Sequence, residues 1–258
     1  MAISFLSVTE IAGDDVTSEQ VERLCHRYYW AAQFCKNKDV LEVACGTGQG
    51  LGFLASVAKS LEGADISQEI LEITRNHYGE RITLKQFDVQ DMPYEDASKD
   101  VIIIFEAIYY IPSFEKFIQE CQRVLRPGGM ILIATANKDL YDFNPSPHSF
   151  EYFGVVELGG ILHEHGFLSS YYGYMPISNT NLKQKILRLI KKLVVSLGLM
   201  PKTMKGKKIL KRLVFGKMVK MPDEIKGGVY EYTEPAALVF GMSDNKYKVI
   251  YCAAKKQA

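Results

Sequence analysis

The run KDVIIIFEA, from Lys99 to Ala107, is apolar at five consecutive positions, Val101 to Phe105. A strand with one wet face alternates polar and apolar residues, so an unbroken run needs cover on both faces, as in a parallel sheet flanked by helices. Asp39–Ala44 and MILIATA (Met130–Ala136) read the same way, RITLKQFD as another strand, and Gly63–Asp65 as a short one. Helices fall between them: Leu51–Ala58, then SQEILEITRNHYG with Ser67 as N-cap and Gly79 as stop, then PSFEKFIQECQRVL, closed by the turn RPGG. Strand–helix alternation predicts a doubly wound α/β sheet with right-handed crossovers. Ligands of such sheets lie beyond the carboxyl ends of the strands.

The flanks complete the plan. Residues 1–37 read as a helical cover, with Val21, Leu24, Cys25, Tyr28 and Ala32 near helical spacing. After MILIATA comes a loop, NKDLYDFNPSPHSFEYF, then a helix, VVELGGILHEHGF, and a strand, LSSYYGYMPI; KYKVIYCAAK is the last strand. The expected division is a cover over 1–37, a core over 38–180 and 236–258, and a basic helical insertion over 181–235. The N-terminus lacks the basic start and apolar core of a signal peptide, and no apolar run approaches the roughly 20 residues of a membrane span. Five cysteines without CxxC spacing favour reduced thiols and a cytoplasmic setting over disulfides or a zinc site.

The first strand runs into a glycine-crowded loop, VLEVACGTGQGLG. Glycine admits positive φ and lets a ligand approach bare backbone. A Walker loop would require GxxxxGK[ST], and no Lys-Ser or Lys-Thr follows these glycines. The dinucleotide pattern GxGxxG also fails, because Leu51 and Phe53 stand at the third positions. Asp65, 19 positions beyond Gly46, ends the second strand, where an acid can accept both ribose hydroxyls. Asp88 ends the third.

Together, EVACGTG, Asp65, the segment FDVQDMPY and the turn LRPGG resemble the class I S-adenosylmethionine-dependent methyltransferases, over roughly Arg27 to Phe167 and the last strand. The resemblance implies a Rossmann-like sheet of seven strands with the last antiparallel, and S-adenosylmethionine as cofactor. It implies that Glu42, Ala44, Gly46 and Gly48 embrace the methionine half, Asp65 and Ile66 hold the ribose, and Asp88 with Val89 contacts adenine. Ala44 stands where the family has its first glycine. The segment RYYWA resembles N-terminal segments of small-molecule methyltransferases, so Arg27 or Tyr28 would bind the methionine carboxylate. Phe105, at the end of the central strand, joins this set.

An acceptor hydroxyl or amine calls for a general base beyond the fourth and fifth strands. Glu106, Tyr109, Tyr110 and His148 stand there, and His148 is the expected base because histidine exchanges protons near neutrality. Glu106 and Tyr109 would orient the acceptor. Cys45 reads as a small loop residue and not a nucleophile. No metal-ligand spacing is present, so a metal-free reaction on O or N of a small metabolite is expected, with sugar-derived acceptors suggested by analogy.

Charge is unevenly placed. Lys183 to Lys220 hold eleven lysines and two arginines without one acid, in a chain of net charge +1. Within that segment Leu182, Ile186, Leu189, Ile190, Leu193 and Leu197 form a helical stripe, and KGKKILKRLVFGKMV resembles a second short helix. Such a lid could attract a phosphate-bearing acceptor or lie on an anionic membrane surface. RNA or lipid methylation, or a non-catalytic cofactor-binding accessory role, are the alternatives; no DNA partner is expected.

Overall fold

Val101, Ile103 and Phe105 pack with the N-terminal helix on one side of the central strand, while Ile102 and Ile104 pack with two later helices on the other. This is the two-faced burial that the apolar run demands. The computed structural model describes residues 9–177 and 218–257. In chain order the elements are β1 (Asp15–Thr17), α1 (Ser18–Cys35), β2 (Asp39–Val43), α2 (Leu51–Ala55), β3 (Ser60–Asp65), α3 (Gln68–Tyr78), β4 (Thr83–Gln86), β5 (Lys99–Phe105), α4 (Phe114–Val124), β6 (Leu125–Ala136), α5 (Val155–Glu164), β7 (Phe167–Pro176), β8 (Met218–Lys220), β9 (Ala236–Leu238) and β10 (Tyr247–Lys256).

The main sheet has the order β4-β3-β2-β5-β6-β10-β7-β9. Strands β2 to β6 pair in parallel, and β10 is antiparallel to both β6 and β7. Seven of these strands are the expected ones. The eighth, β9, adds an antiparallel edge to β7 through Tyr171↔Leu238 to Gly173↔Ala236. Its three residues open the stretch 236–258 assigned to the core, where only the last strand, KYKVIYCAAK, is expected.

Helix α1 opens with a reciprocal cap: the Thr17 hydroxyl accepts from Gln20 N, and the Gln20 side chain accepts from Thr17 N. It buries Leu24, Tyr28 and Trp30 against β5, β6 and β10, fixing which of its residues look toward the sheet's carboxyl ends. Ser67 caps α3 as expected, and Gly79, at φ 54°, ends it.

The short strands β1 and β8 form a separate antiparallel ribbon, flanked by Gly13 N donating to Met221 O. Met221 and Ile225 then bury their side chains in the same core as α1. Residues 218–235 therefore run as strand and loop against the N-terminal cover, and Met218 and Val219, expected at the end of a second helix, lie in β8. The basic stretch 181–217, with its expected leucine and isoleucine stripe, lies outside the described residues. No described helix is long and apolar enough to cross a membrane.

Candidate active site

The carboxyl ends of β2, β3, β4 and β5 open into one cavity of about 620 Å³. Its wall includes Arg27, Tyr28, Glu42, Ala44, Gly46, Asp65, Ile66, Asp88, Val89, Phe105, Glu106 and Tyr109, every one singled out in the sequence. Two other expected residues stand off this wall. Gly48 is absent from the wall: its carbonyl accepts from the Tyr78 hydroxyl at 2.7 Å, and a Cβ there would lie 2.6 Å from Thr74 Cγ2. It is a packing glycine between the loop and α3. His148 is exposed on the loop after β6 and also absent from the wall, although its neighbours Ser146 and Phe150 line it.

The loop after β2 is held open by backbone conformation. Gly46 has φ 58° and Ala44 has φ 49°, a left-handed conformation that costs an alanine about 1–2 kcal/mol. Asp65 ties this loop to β3: Oδ2 accepts from Gly46 N at 3.1 Å and Oδ1 from Ser67 N at 2.9 Å. Burial raises its pKa, and these backbone donors oppose the rise. Each oxygen retains a lone pair.

Glu42 is 1% exposed. Its Oε1 accepts from the Tyr28 hydroxyl at 2.5 Å, while Oε2 is buried without a hydrogen-bond partner. Burial pushes its carboxyl up to about 7, against the pull of Tyr28 and the Arg27 charge. Arg27 is also buried; its Nε is unpartnered, and its guanidinium stands 3.9 Å from Glu10. The Glu10 carbonyl accepts from Thr47 Oγ1 and Gln49 Nε2, so residues 9 and 10 strap the glycine loop. Cys45 also lines the cavity, with its thiol raised by burial and by the nearby Asp65 and Glu42 charges, as befits a neutral packing group.

Beyond β5, Glu106 adopts φ 53°, unusual for a side chain of its size. Its amide donates to Ala134 O at 2.7 Å and its Oε2 accepts from the Tyr109 hydroxyl at 3.2 Å. Oε1 is buried and unpartnered. Tyr109 is itself stacked on Tyr152 at 4.2 Å. Asp88 accepts from Gln90 N and from its side-chain amide, which stiffens the third strand's exit. Among the described residues no group of three or more His, Cys, Asp or Glu is placed to hold a metal ion.

Residues 41–133 match the family model described as "Methyltransferase domain". A probable S-adenosylmethionine-dependent methyltransferase of Mycolicibacterium smegmatis is 33% identical over 150 residues, 57% of this chain and 55% of the relative. Over these residues the chain is similar to S-adenosylmethionine-dependent methyltransferases.

A fatty-acid O-methyltransferase of the same organism is 34% identical over 104 residues, 39% of this chain and 38% of that protein. The chain spans about half the length of the first curated relatives it matches. A Thermotoga maritima structure described as a possible histamine N-methyltransferase has the same fold, at TM-score 0.57 and 12% identity, covering 92% of each chain. Several wall residues went unread in the sequence. Arg23 stands one helical turn before Arg27 on α1, so the helical period alone could have found it. Glu10, Ser146 and Phe150 had no such signal, because irregular segments bring them in from a distance.

Proposed function

We propose that the protein transfers the methyl group of S-adenosylmethionine to an O or N atom of a small molecule held in the outer part of the same cavity. The observation that carries this is convergence: the glycine loop, Asp65, Asp88 and the unpartnered Glu106 oxygen share one wall at the carboxyl ends of four neighbouring strands. The donors and acceptors suit the cofactor piece by piece. The buried Arg27 guanidinium would hold the methionine carboxylate, and the vacant oxygen of Glu42 its ammonium. The two oxygens of Asp65 would accept the ribose hydroxyls, with Asp88, Val89 and Ile66 around the adenine.

When bound, the cofactor supplies an activated methyl on a sulfonium. The protein's own work is then to orient the acceptor, exclude water and take a proton. Glu106, whose unpartnered oxygen lies on the cavity wall, would take the proton in place of His148. Incubation with S-adenosylmethionine and an acceptor panel tests the reading. S-adenosylhomocysteine should accumulate only with an acceptor present, and at least about a hundredfold more slowly in Glu106→Gln. Its absence with every acceptor would favour a cofactor-binding accessory role.

A further inference from the structure

The two cations on the cavity wall, Arg23 and Arg27, both stand on α1 and both face Glu10. The opposite stretch, from Glu106 to Pro112 and across to Ser146 and Phe150, carries one charged side chain, Glu106. Arg27 lies close enough to feel the Glu106 charge, but its ion pair among the described residues is with Glu10. The remaining polar groups of that stretch are turned toward one another: the Tyr110 and Ser146 hydroxyls are 2.5 Å apart, and the Tyr109 hydroxyl is given to Glu106. What is left over is Glu106 Oε1, buried and unpartnered on a stretch of wall that also holds Ile111, Pro112 and Phe150.

Resting on the methyl-transfer reading, we infer that the acceptor is a neutral alcohol or phenol on an apolar body, its hydroxyl donating to Glu106 Oε1. A carboxylate or phosphate there would set a second negative charge beside the Glu106 carboxylate, on a stretch that carries no cation among the described residues. This argues against the phosphate-bearing acceptor that the lysine-rich sequence suggests. An alkylammonium would pair with Glu106, but it has no lone pair with which to attack. A hydroxyl does both, donating its proton to the carboxylate while presenting a lone pair to the methyl carbon. The new C–O bond forms as the C–S bond breaks, with the C–S electron pair passing to sulfur and the hydroxyl proton to Glu106, then to water. Phe150 is 56% exposed although it lines the cavity, so the apolar surface runs on to the outside and suits a body longer than the cavity.

Four probes with one apolar body test this: 1-octanol, octanoate, octyl phosphate and octylamine, titrated into the protein with S-adenosylhomocysteine present. Octanol should bind at least about tenfold more tightly than octanoate or octyl phosphate. In Glu106→Gln the preference should collapse or reverse, while S-adenosylmethionine affinity stays within about threefold of wild type. With S-adenosylmethionine, only octanol should yield a methylated product in the wild type. Octanoate or octyl phosphate binding as well as octanol, methylated octylamine as the main product, no octanol binding, or an unchanged order in Glu106→Gln would each overturn the inference. Failure of S-adenosylmethionine to bind the wild type would instead overturn the methyl-transfer reading, and this inference with it.

Discussion

Tyr28, on the N-terminal helix, donates its hydroxyl to Glu42 Oε1 at 2.5 Å, and the other oxygen of this cavity-lining residue is buried and unpartnered. Burial raises the carboxyl of the glycine loop's first acid, and Tyr28 and Arg27 of the cover helix oppose that rise. With its carboxyl raised to about 7 by burial, Glu42 holds its proton in the folded protein at pH values where the unfolded chain has lost it. For an acid shifted upward, the stability contribution is present below its unfolded value and is lost as pH rises through about 7. Denaturant midpoints should fall across that window, and Glu42→Gln should flatten the fall. An ammonium group arriving at Oε2 would favour the ionised form, so cofactor binding near pH 6 should release a proton. Calorimetric heats should then vary with the buffer's ionisation enthalpy; identical heats in all buffers would contradict the assignment.

Ala44 occupies a left-handed backbone position at φ 49°. Replacing it with glycine relieves about 1–2 kcal/mol of steric cost. The freer unfolded chain takes back about 0.4–1 kcal/mol. Ala44→Gly should therefore raise stability by about 0.5–1 kcal/mol, and Ala44→Val should lower it. Urea unfolding of the three proteins checks the order.

Glu10 presents its carboxylate to Arg23 at 4.0 Å and Arg27 at 3.9 Å, where the cofactor's carboxylate is proposed to bind. Glu10→Gln leaves the carbonyl that receives Thr47 and Gln49, and removes only the competing charge. Cofactor affinity should rise by about twofold to fivefold, an effect of the size expected for a partly exposed ion pair. A weaker complex would mean that Glu10 supports the cofactor site instead of competing for it.

Gly50 packs beneath the Tyr28 ring, where an added Cβ would lie 2.0 Å from Cε1. Gly50→Ala must push the ring away from Glu42, at about 1–3 kcal/mol for overpacking. Thermal unfolding should show the loss, together with weaker cofactor binding.

The sheet was readable because burial on both faces leaves a direct mark: Val101–Phe105 admits few alternatives to a central strand. Most of the cavity wall was readable too, since Glu42, Ala44, Gly46, Asp65 and Glu106 lie at strand ends whose positions the pattern defines. Gly48 shares Gly46's sequence context, but a glycine serving close packing looks the same in sequence as one serving a ligand. His148 has suitable chemistry, but a Pro-flanked loop carries no period to say which side chains turn inward. The strap from Glu10 reaches Thr47 and Gln49, 37 and 39 positions on, and β1 pairs with β8 across about 200 residues; neither leaves a local signature.

The most direct test of the central claim is calorimetric titration of the protein with S-adenosylmethionine beside Asp65→Ala. Asp65 fastens Gly46 to β3 and presents two carboxylate oxygens to the cavity. The wild type should bind one equivalent, and the variant, with circular dichroism confirming its fold, should bind at least about a hundredfold more weakly, as for loss of a charge-assisted pair of hydrogen bonds. Equal affinity in the two proteins, or no binding by the wild type, would contradict the placement of the cofactor in this cavity.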